Sequence, residues 1–325
     1  MSSPLRDVAD AASESPMLRD VRDGLTRPEG HKTLPSKYFY DRRGSELFEE
    51  ITRLPEYYLT RAERAILDRD AQPLIAHLRP ATLVELGAGS AEKTRILIEA
   101  MLAARASTGD ESPSYVPIDV SETFLEETAA RLRRDYPALD VFPVIGDLSE
   151  ELELPRLLPA PALFAFLGST IGNFDERQAI GLLTRVREVM RPGDRFLLGA
   201  DLHKDPARLH AAYNDARGVT AEFNRNVLRV INHELGADFG IDDFSHRAFY
   251  DSVQHRIEMH LVAARALSVQ IPGIGCINFR SGESVRTEIS CKYDRPRLEA
   301  LLAAAGLILE QWLTDGDFAL AVARA

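Results

Sequence analysis

The sequence predicts an α/β protein whose helices cover a doubly wound, mostly parallel β-sheet. From about residue 81 onward, short apolar runs alternate with segments of helical periodicity, as such a sheet requires. A glycine-containing turn follows the first of these runs, and aspartates follow the second and third. Because open α/β sheets bind ligands at the carboxyl ends of their strands, these residues mark one edge of the sheet as a candidate site.

Each predicted strand is a short apolar run bounded by polar residues or glycine. The runs lie at 82–86, 115–118, 140–145, 162–167 and 195–200. Periodic segments between them predict helices at 91–104, 122–134 and 176–190. After a further helix at 294–305, the apolar runs 307–313 and 317–323 predict an antiparallel hairpin that returns the chain to the sheet.

Residues 202–290 interrupt this alternation and predict an inserted α+β domain. A helical piece at 206–235 is followed by strand-like segments at 248–271 and 284–293. The predicted division is a partly ordered leader at 1–30, a segment at 31–60 that joins the inserted domain, the sheet domain at 61–201 and 291–325, and the insertion at 202–290.

Two helix signals precede the sheet. Leu47, Phe48 and Ile51 recur at helical spacing, which predicts a short amphipathic helix over residues 45–51. Thr60 and Glu63 match a capping box, in which each side chain bonds the other's unpaired backbone N–H group, and therefore predict the start of the next helix.

Composition excludes several classes of protein. The 325 residues carry 39 Lys and Arg against 50 Asp and Glu, a net charge of -11 that would repel a nucleic acid. No apolar run approaches the ~18 residues that span a bilayer, and the first forty residues lack a signal-peptide core. Cys276 and Cys291 form no disulfide framework or metal motif, and the histidines form no ligand set. We expect a cytoplasmic monomer without a metal.

The turn Glu85-Leu86-Gly87-Ala88-Gly89 is a candidate nucleoside site, because its glycines let a ligand approach the backbone. Glu92 stands where a dinucleotide site would carry a third glycine, and its charge would repel a pyrophosphate. That difference favours a nucleoside without phosphates, such as S-adenosylmethionine (SAM); a turn that binds nothing is the alternative. Asp119 is placed to accept the ribose hydroxyls, and Asp147 to meet the adenine edge. Either aspartate alone fits a helix cap or turn equally well.

Three further segments carry candidate acceptor residues. Asn173, in the loop after the fourth strand, can bind a carboxylate or an amine, although a loop asparagine often bonds its own backbone. Tyr213 fits a core aromatic residue equally well. Strict alternation places Arg286, Glu288 and Ser290 on one strand face, where a carboxylate and a hydroxyl could hold an imidazole; a solvated strand face is the alternative.

Six motifs together resemble the histidine-specific SAM-dependent methyltransferases. They are KYFYDRRGSELFEEITRLPEYYLTRAE, LVELGAGSAEKT, PIDVS, FLGSTIGNF, AYNDARGVTAEFNRN and RTEISCKY, in this order from about residue 35 onward. The resemblance implies a Rossmann-like class I SAM-dependent methyltransferase sheet with an inserted α+β substrate-binding domain. It also implies the trimethylation of the α-amino group of L-histidine, through its mono- and dimethyl forms, to hercynine for ergothioneine biosynthesis, with S-adenosyl-L-homocysteine as the product of SAM.

The resemblance also implies the site residues. The SAM contacts fall on Gly87, Gly89, Lys93, Asp119 and Asp147. The acceptor contacts fall on Tyr57, Gly168, Asn173, Tyr213, Met259, Glu288 and Ser290, with Asn173, Tyr213 and Tyr40 beside the reacting amine. Because the family includes enzymes that methylate tryptophan-type amines, such an activity is one alternative. A SAM- or amino-acid-binding regulator without turnover is another, and a nicotinamide-dependent oxidoreductase is disfavoured by Glu92.

Overall fold

The computed structural model describes residues 14–109, 111–148, 152, 154–155 and 158–325 of the chain. Its helices are α1 (Pro16–Leu25), α2 (Arg42–Thr52), α3 (Leu59–Leu78), α4 (Thr94–Thr108), α5 (Glu122–Asp135), α6 (Glu176–Val189), α7 (Pro206–Tyr213), α8 (Val219–Leu235) and α9 (Arg295–Ala304). Its strands are β1 (Thr82–Leu86), β2 (Ser114–Asp119), β3 (Asp140–Val141), β4 (Val144–Ile145), β5 (Ala162–Phe166), β6 (Arg195–Asp201), β7 (Phe244–Asp251), β8 (Arg256–Ala263), β9 (Leu267–Ile271), β10 (Gly275–Phe279), β11 (Ser284–Cys291), β12 (Ile308–Thr314) and β13 (Phe318–Arg324).

The central sheet has the strand order β12-β13-β6-β5-β1-β2-β3, with β4 also beside β2. β1 pairs in parallel with β2 on one side and β5 on the other, and β6 continues the parallel ladder from β5. β13 pairs antiparallel with both β6 and β12. The predicted α/β class and the C-terminal hairpin are therefore confirmed. Since the chain order reverses beside β1, a crevice for a ligand lies at the carboxyl ends of β1, β2 and β5.

The strands at the centre of this sheet are buried on both faces. Every residue of Thr82–Leu86 and of Ala162–Phe166 is buried, which explains why both read as continuous apolar runs rather than alternating ones. Two apolar cores lie on opposite sides of the sheet; one contains Leu83 and Leu197, the other Val84 and Leu198. The sheet is therefore a rigid base for the loops at its carboxyl edge.

A second layer lies outside this sheet. It contains a three-stranded antiparallel sheet of order β11-β8-β7, a two-stranded sheet of β9 and β10, and helices α7 and α8. The N-terminal segment packs against this layer, because the side-chain amide of Asn226 in α8 donates to the Phe39 carbonyl at 3.1 Å and to Asp41 Oδ1 at 2.7 Å. This second layer covers the carboxyl edge of the central sheet. It is built from residues that are far from that edge along the chain.

Several local predictions differ from the structure. The run 140–145 forms two short strands, β3 and β4, and the helical piece 206–235 is two helices, α7 and α8. In the predicted leader, residues 1–13 lie outside the described part, but α1 forms a helix that the sequence analysis missed. Its N-cap, Ser15, accepts a hydrogen bond from the Leu18 backbone N–H at 3.2 Å, and Pro16 takes the first helical position.

The predicted capping box at Thr60 and Glu63 is wrong. Helix α3 begins one residue before Thr60, with Tyr58 as its N-cap and without a side-chain cap. Glu63 is fully buried and bonds to groups on other elements instead. A reciprocal box does begin α6, where Asp175 and Gln178 cap each other's backbone. The predicted amphipathic helix is confirmed as α2.

Candidate functional site

The turn between β1 and α4 has the shape that the glycines predicted. Gly87 and Gly89 have φ of +66° and +51°, a left-handed conformation that strains any residue with a side chain. A Cβ added at Gly89 would meet no atom within 4 Å, so open space lies beside the backbone there. The turn therefore leaves room for a ligand to approach the peptide groups closely.

Asp119 is fixed across this turn at the end of β2. One carboxylate oxygen accepts the Gly89 backbone N–H at 3.0 Å, and the other accepts the Ser121 N–H at 3.1 Å. Each oxygen retains acceptor capacity, since a carboxylate offers about four lone-pair positions. The side chain is therefore oriented, and it can still accept the two hydroxyls of a ribose.

Asp147 follows β4 at the same edge and pairs with the N-terminal segment. Its carboxylate lies 2.9 Å from the Lys37 ammonium, which also lies 3.0 Å from Asp20 of α1. Burial lowers the pKa of Lys37, but its hydrogen bonds to Asp147 and Asp20 outweigh that effect and raise it. The sequence analysis did not foresee that α1 and the residues after it reach the predicted adenine side of the crevice.

Lys93 lies at the start of α4 and forms an ion pair with the buried Glu63 of α3. The same carboxylate accepts the Gly168 backbone N–H, at 2.8 and 3.0 Å from its two oxygens. Glu63 thus connects a predicted SAM residue with the loop predicted to face the amine. The sequence analysis missed this role because it assigned Glu63 to a helix cap.

All eight residues predicted for the acceptor side line one cavity. They are Tyr40, Tyr57, Gly168, Asn173, Tyr213, Met259, Glu288 and Ser290. They come from the N-terminal segment, the loop after β5, α7, β8 and β11. The cavity lies between the central sheet and the second layer. Phe48, Thr170 and Phe223 also line it, and the sequence analysis missed them as site residues.

Tyrosines form much of the cavity wall. The rings of Tyr57 and Tyr213 meet edge to face, with centroids 6.4 Å apart, and Tyr40 contacts Phe48 in the same geometry at 5.7 Å. Burial, together with the negative charge of neighbours such as Glu288, raises the pKa of all three tyrosines well above the ordinary value. They are neutral phenols at physiological pH, able to donate and accept hydrogen bonds but not to carry charge.

A β-bulge in β11 sets which side chains face the cavity. Glu288 pairs with Met259 and Ser290 with Ile257, whereas Arg286 pairs with His260, so Thr287 is an extra residue in the ladder. Glu288, Ser290 and Met259 therefore face the cavity together. The prediction that Arg286 shares their face is wrong, because the bulge turns its side chain to the other face, where it lies 3.7 Å from Glu258.

Burial raises the pKa of Glu288 to about 8, and the positive charge of Lys292 only partly opposes that shift. The carboxyl is therefore protonated at neutral pH in the protein alone. Protonated, it is both a donor and an acceptor of hydrogen bonds, which suits a polar ring better than a cation.

Lys292 binds two residues of the cavity wall, and the sequence analysis missed it. It is fully buried one residue beyond β11, and its ammonium lies 2.8 Å from Asp201 Oδ2, 2.9 Å from Ser290 Oγ and 3.2 Å from Tyr213 Oη. The alternation that linked Glu288 and Ser290 continues to Lys292, and this signal could have found it. A buried lysine in a predicted strand would also have needed an acidic partner.

Among the residues that the structure describes, no group of three or more His, Cys, Asp or Glu side chains is placed to hold a metal ion. Within the same residues, none of the helices combines the length and the apolar character needed to cross a bilayer.

Residues 17–325 match the family model described as "Histidine-specific methyltransferase, SAM-dependent". The chain belongs to this family. The predicted resemblance is thereby confirmed: the protein is a methyltransferase, its donor is SAM, and its sheet is the Rossmann-like methyltransferase sheet.

Three relatives illustrate the range of the family. The chain is 48% identical over 311 residues to the histidine N-alpha-methyltransferase of Mycobacterium tuberculosis, covering 94% of each protein. It is 30% identical over 322 residues to ergothioneine biosynthesis protein 1 of Neurospora crassa, covering 97% of this chain and 36% of that longer protein. It is 27% identical over 347 residues to the L-tryptophan methyltransferase trpM of Psilocybe serbica, covering 96% of this chain and 93% of that protein.

Proposed function

We propose that the protein transfers three methyl groups from SAM to the α-amino nitrogen of L-histidine and so forms hercynine, a precursor for ergothioneine. The observation that carries the proposal is the single cavity lined by all eight acceptor residues inferred from the sequence. The names of the mycobacterial and Neurospora relatives support the substrate and the pathway.

The residues of the β1–α4 turn and of the neighbouring strand ends fit SAM. Gly87 and Gly89 let the ligand lie against the backbone, and Asp119 retains lone pairs for the ribose hydroxyls. Asp147 is the candidate partner for the adenine edge, and Lys93 for the carboxylate of the methionine tail. When bound, SAM supplies a methyl group on a positively charged sulfur. An amine lone pair can attack that methyl carbon in line with the carbon–sulfur bond, so that the sulfur leaves with the bonding electrons. The protein then needs no metal and no strong nucleophile of its own.

The acceptor is held at two ends. Asn173 and Tyr213 bind the α-carboxylate and amine, with Tyr40 beside the reacting nitrogen. At the other end, Glu288 and Ser290 bind the imidazole, and Tyr57 and Met259 pack against its ring. In this assignment residues 202–290, completed by 31–60, form the substrate-binding domain, while 61–201 and 291–325 form the SAM-binding domain.

The protonation state of the amine follows from the wall of the cavity. An ammonium ion cannot attack the methyl group, because its lone pair is occupied. Burial disfavours a charged amine, and the neutral phenols of Tyr40, Tyr57 and Tyr213 provide no compensating negative charge. The cavity therefore favours the neutral amine, and hydroxyl oxygens can accept its N–H groups during each transfer.

Space for successive methyl groups is provided at Gly168. This residue has φ of +76°, and a Cβ there would lie 3.4 Å from both Lys93 Nζ and Thr170 Oγ1. A side chain would be strained by this backbone conformation, and its Cβ would fill space beside the loop that faces the amine. The glycine keeps that space for the growing trimethylammonium group.

The proposal is tested by incubating the protein with SAM and a mixture of the twenty amino acids, followed by mass spectrometry. We expect histidine alone to gain three methyl groups. Asp119→Ala serves as the matched control, because it removes the ribose contact without touching the acceptor cavity. Methylated tryptophan would support the alternative represented by the Psilocybe relative, and SAM binding without any product would support a regulator.

A further inference from the structure

The ammonium of Lys292 uses all of its hydrogen-bonding capacity inside the protein. An ammonium has three N–H donors and no acceptor. Asp201 Oδ2, Ser290 Oγ and Tyr213 Oη lie within 2.8 to 3.2 Å of it, one partner for each donor. Lys292 itself is fully buried and makes no contact with the cavity. Its effect on a ligand must therefore pass through the two hydroxyls that it binds.

In the structure, Ser290 accepts both of the side-chain hydrogen bonds that it makes within the protein. Its Oγ accepts one bond from Lys292 at 2.9 Å and one from the Tyr213 hydroxyl at 2.8 Å. A serine oxygen has two lone pairs, so both are occupied. The Ser290 proton must go to another acceptor, and Ser290 lines the cavity. Ser290 can donate a hydrogen bond to a ligand there, but it cannot accept one.

We propose that Lys292, held by Asp201, is a positioning residue that fixes Ser290 as a hydrogen-bond donor and so makes the site select a neutral ring with one donor and one acceptor nitrogen. This inference rests on the proposed function. One ring nitrogen accepts from Ser290, and the N–H of the other donates to an oxygen of Glu288. Neutral imidazole has this pattern. An imidazolium would turn a second N–H towards an oxygen without a lone pair, and an apolar ring would leave both protein groups without partners.

The surroundings of Asp201 support a dedicated role for Lys292, because another lysine also binds this carboxylate. Asp201 also binds the Lys204 ammonium, and it accepts the Tyr58 hydroxyl at 2.9 and 2.7 Å from its two oxygens. Burial raises the pKa of Asp201, but Lys292 and Lys204 outweigh it and lower that pKa. One lysine is enough to neutralise one carboxylate. Lys292 differs from Lys204 in binding the two hydroxyls, which Lys204 does not reach.

The first test replaces Lys292 with methionine, which has a similar length and no donors. Ser290 is then free to rotate and to accept, so we expect KM for histidine to rise about 10- to 100-fold, with a smaller change in kcat and an unchanged Kd for SAM. The preference for histidine over tryptophan should fall by a similar factor. Lys204→Met is the matched control: it removes a positive charge from the same carboxylate but leaves both hydroxyls bound, and KM should change only a few-fold.

A double-mutant cycle separates positioning from a purely structural effect. If Lys292 acts through Ser290, Lys292→Met should raise KM much less in a Ser290→Ala background than in the wild type. Equal effects in the two backgrounds would overturn the proposal. If the wild type methylates histidine but Lys292→Met keeps the wild-type KM, only this inference fails; if the wild type does not methylate histidine, the proposed function itself fails.

A measurement without variants remains decisive if Lys292→Met does not fold. Ring-labelled ¹⁵N-histidine is bound to the wild type with S-adenosyl-L-homocysteine, and its NMR shifts are recorded at pH 5.5, about one unit below the ordinary imidazole pKa. We expect one protonated and one unprotonated ring nitrogen, even though Glu288, Tyr40, Tyr57 and Tyr213 surround the ring. Two protonated nitrogens would refute the selection of a neutral ring.

Discussion

Glu288→Gln should change how the stability of the protein depends on pH. The glutamate has a pKa of about 8 in the folded protein, against 4.5 for an exposed side chain. Below about pH 4.5 the carboxyl is protonated in both the folded and the unfolded state, and its ionisation costs nothing. Between these two values the unfolded state loses the proton while the folded state keeps it. The wild type therefore loses stability as pH rises through this interval, and the loss is complete above about pH 8.

The size of the effect follows from the two pKa values. Each unit of difference corresponds to about 1.4 kcal/mol, so the shift from 4.5 to about 8 sets an upper limit of about 5 kcal/mol. Glu288 opens onto the cavity, where water can partly solvate an ionised carboxylate. We therefore expect a loss of about 2–5 kcal/mol between pH 4.5 and 8. Glutamine preserves the shape of the side chain but has no proton to lose.

The assay is urea unfolding of both proteins at pH 5, 6.5 and 8, without SAM or histidine, followed by circular dichroism. The free energy of unfolding of the wild type should fall relative to that of Glu288→Gln at each step. Burial also raises the pKa of Glu85, to about 7, but this group is present in both proteins and cancels in the comparison. Parallel pH profiles for the two proteins would show that Glu288 ionises freely and would refute the neutral carboxyl.

Four further substitutions test the division of the site. Asp119→Ala should weaken SAM binding by about 2–3 kcal/mol in calorimetry, whereas Asp140→Ala, an exposed carboxylate on the neighbouring strand, should leave it unchanged. Asn173→Ala and Tyr213→Phe should reduce turnover of histidine while SAM affinity stays nearly intact; equal loss of both would contradict separate donor and acceptor surfaces. Glu288→Ala should lower the ratio of kcat/KM for histidine to that for tryptophan at least ~10-fold, and an unchanged ratio would remove Glu288 as the specificity residue.

The backbone of the β1–α4 turn could be predicted from the sequence because its signals are local. The φ of +66° at Gly87 and +51° at Gly89 depends on a turn within one β-strand-to-helix connection. The position of Asp119 follows from the period and length of a single strand. Residues that let a ligand lie against the backbone at the end of a strand can therefore be predicted from the sequence without knowing what packs around them.

The buried ion pairs could not be predicted in the same way, because their partners are far apart in the chain. Glu63 reaches Lys93 and the Gly168 backbone from α3, and Lys292 reaches Asp201 from the other end of the inserted region. A glutamate in the first turn of a helix matches a capping motif by spacing alone, and only the packing of α3 against the sheet decides that it faces inward. Sequence periodicity reports which side is buried, but not which charges meet there.

The bulge in β11 shows why one residue of register matters for the chemistry. Thr287, the extra residue, donates to Asn224 Oδ1 at 2.6 Å, a contact that stabilises the bulge. Without it, strict alternation would place the Arg286 guanidinium beside Glu288. A permanent positive charge there would lower the pKa of Glu288 and keep the carboxylate ionised, which would favour an imidazolium or an ammonium in the cavity. By turning Arg286 towards Glu258, the bulge leaves Glu288 protonated and the cavity suited to neutral nitrogen groups, the state in which the amine can be methylated.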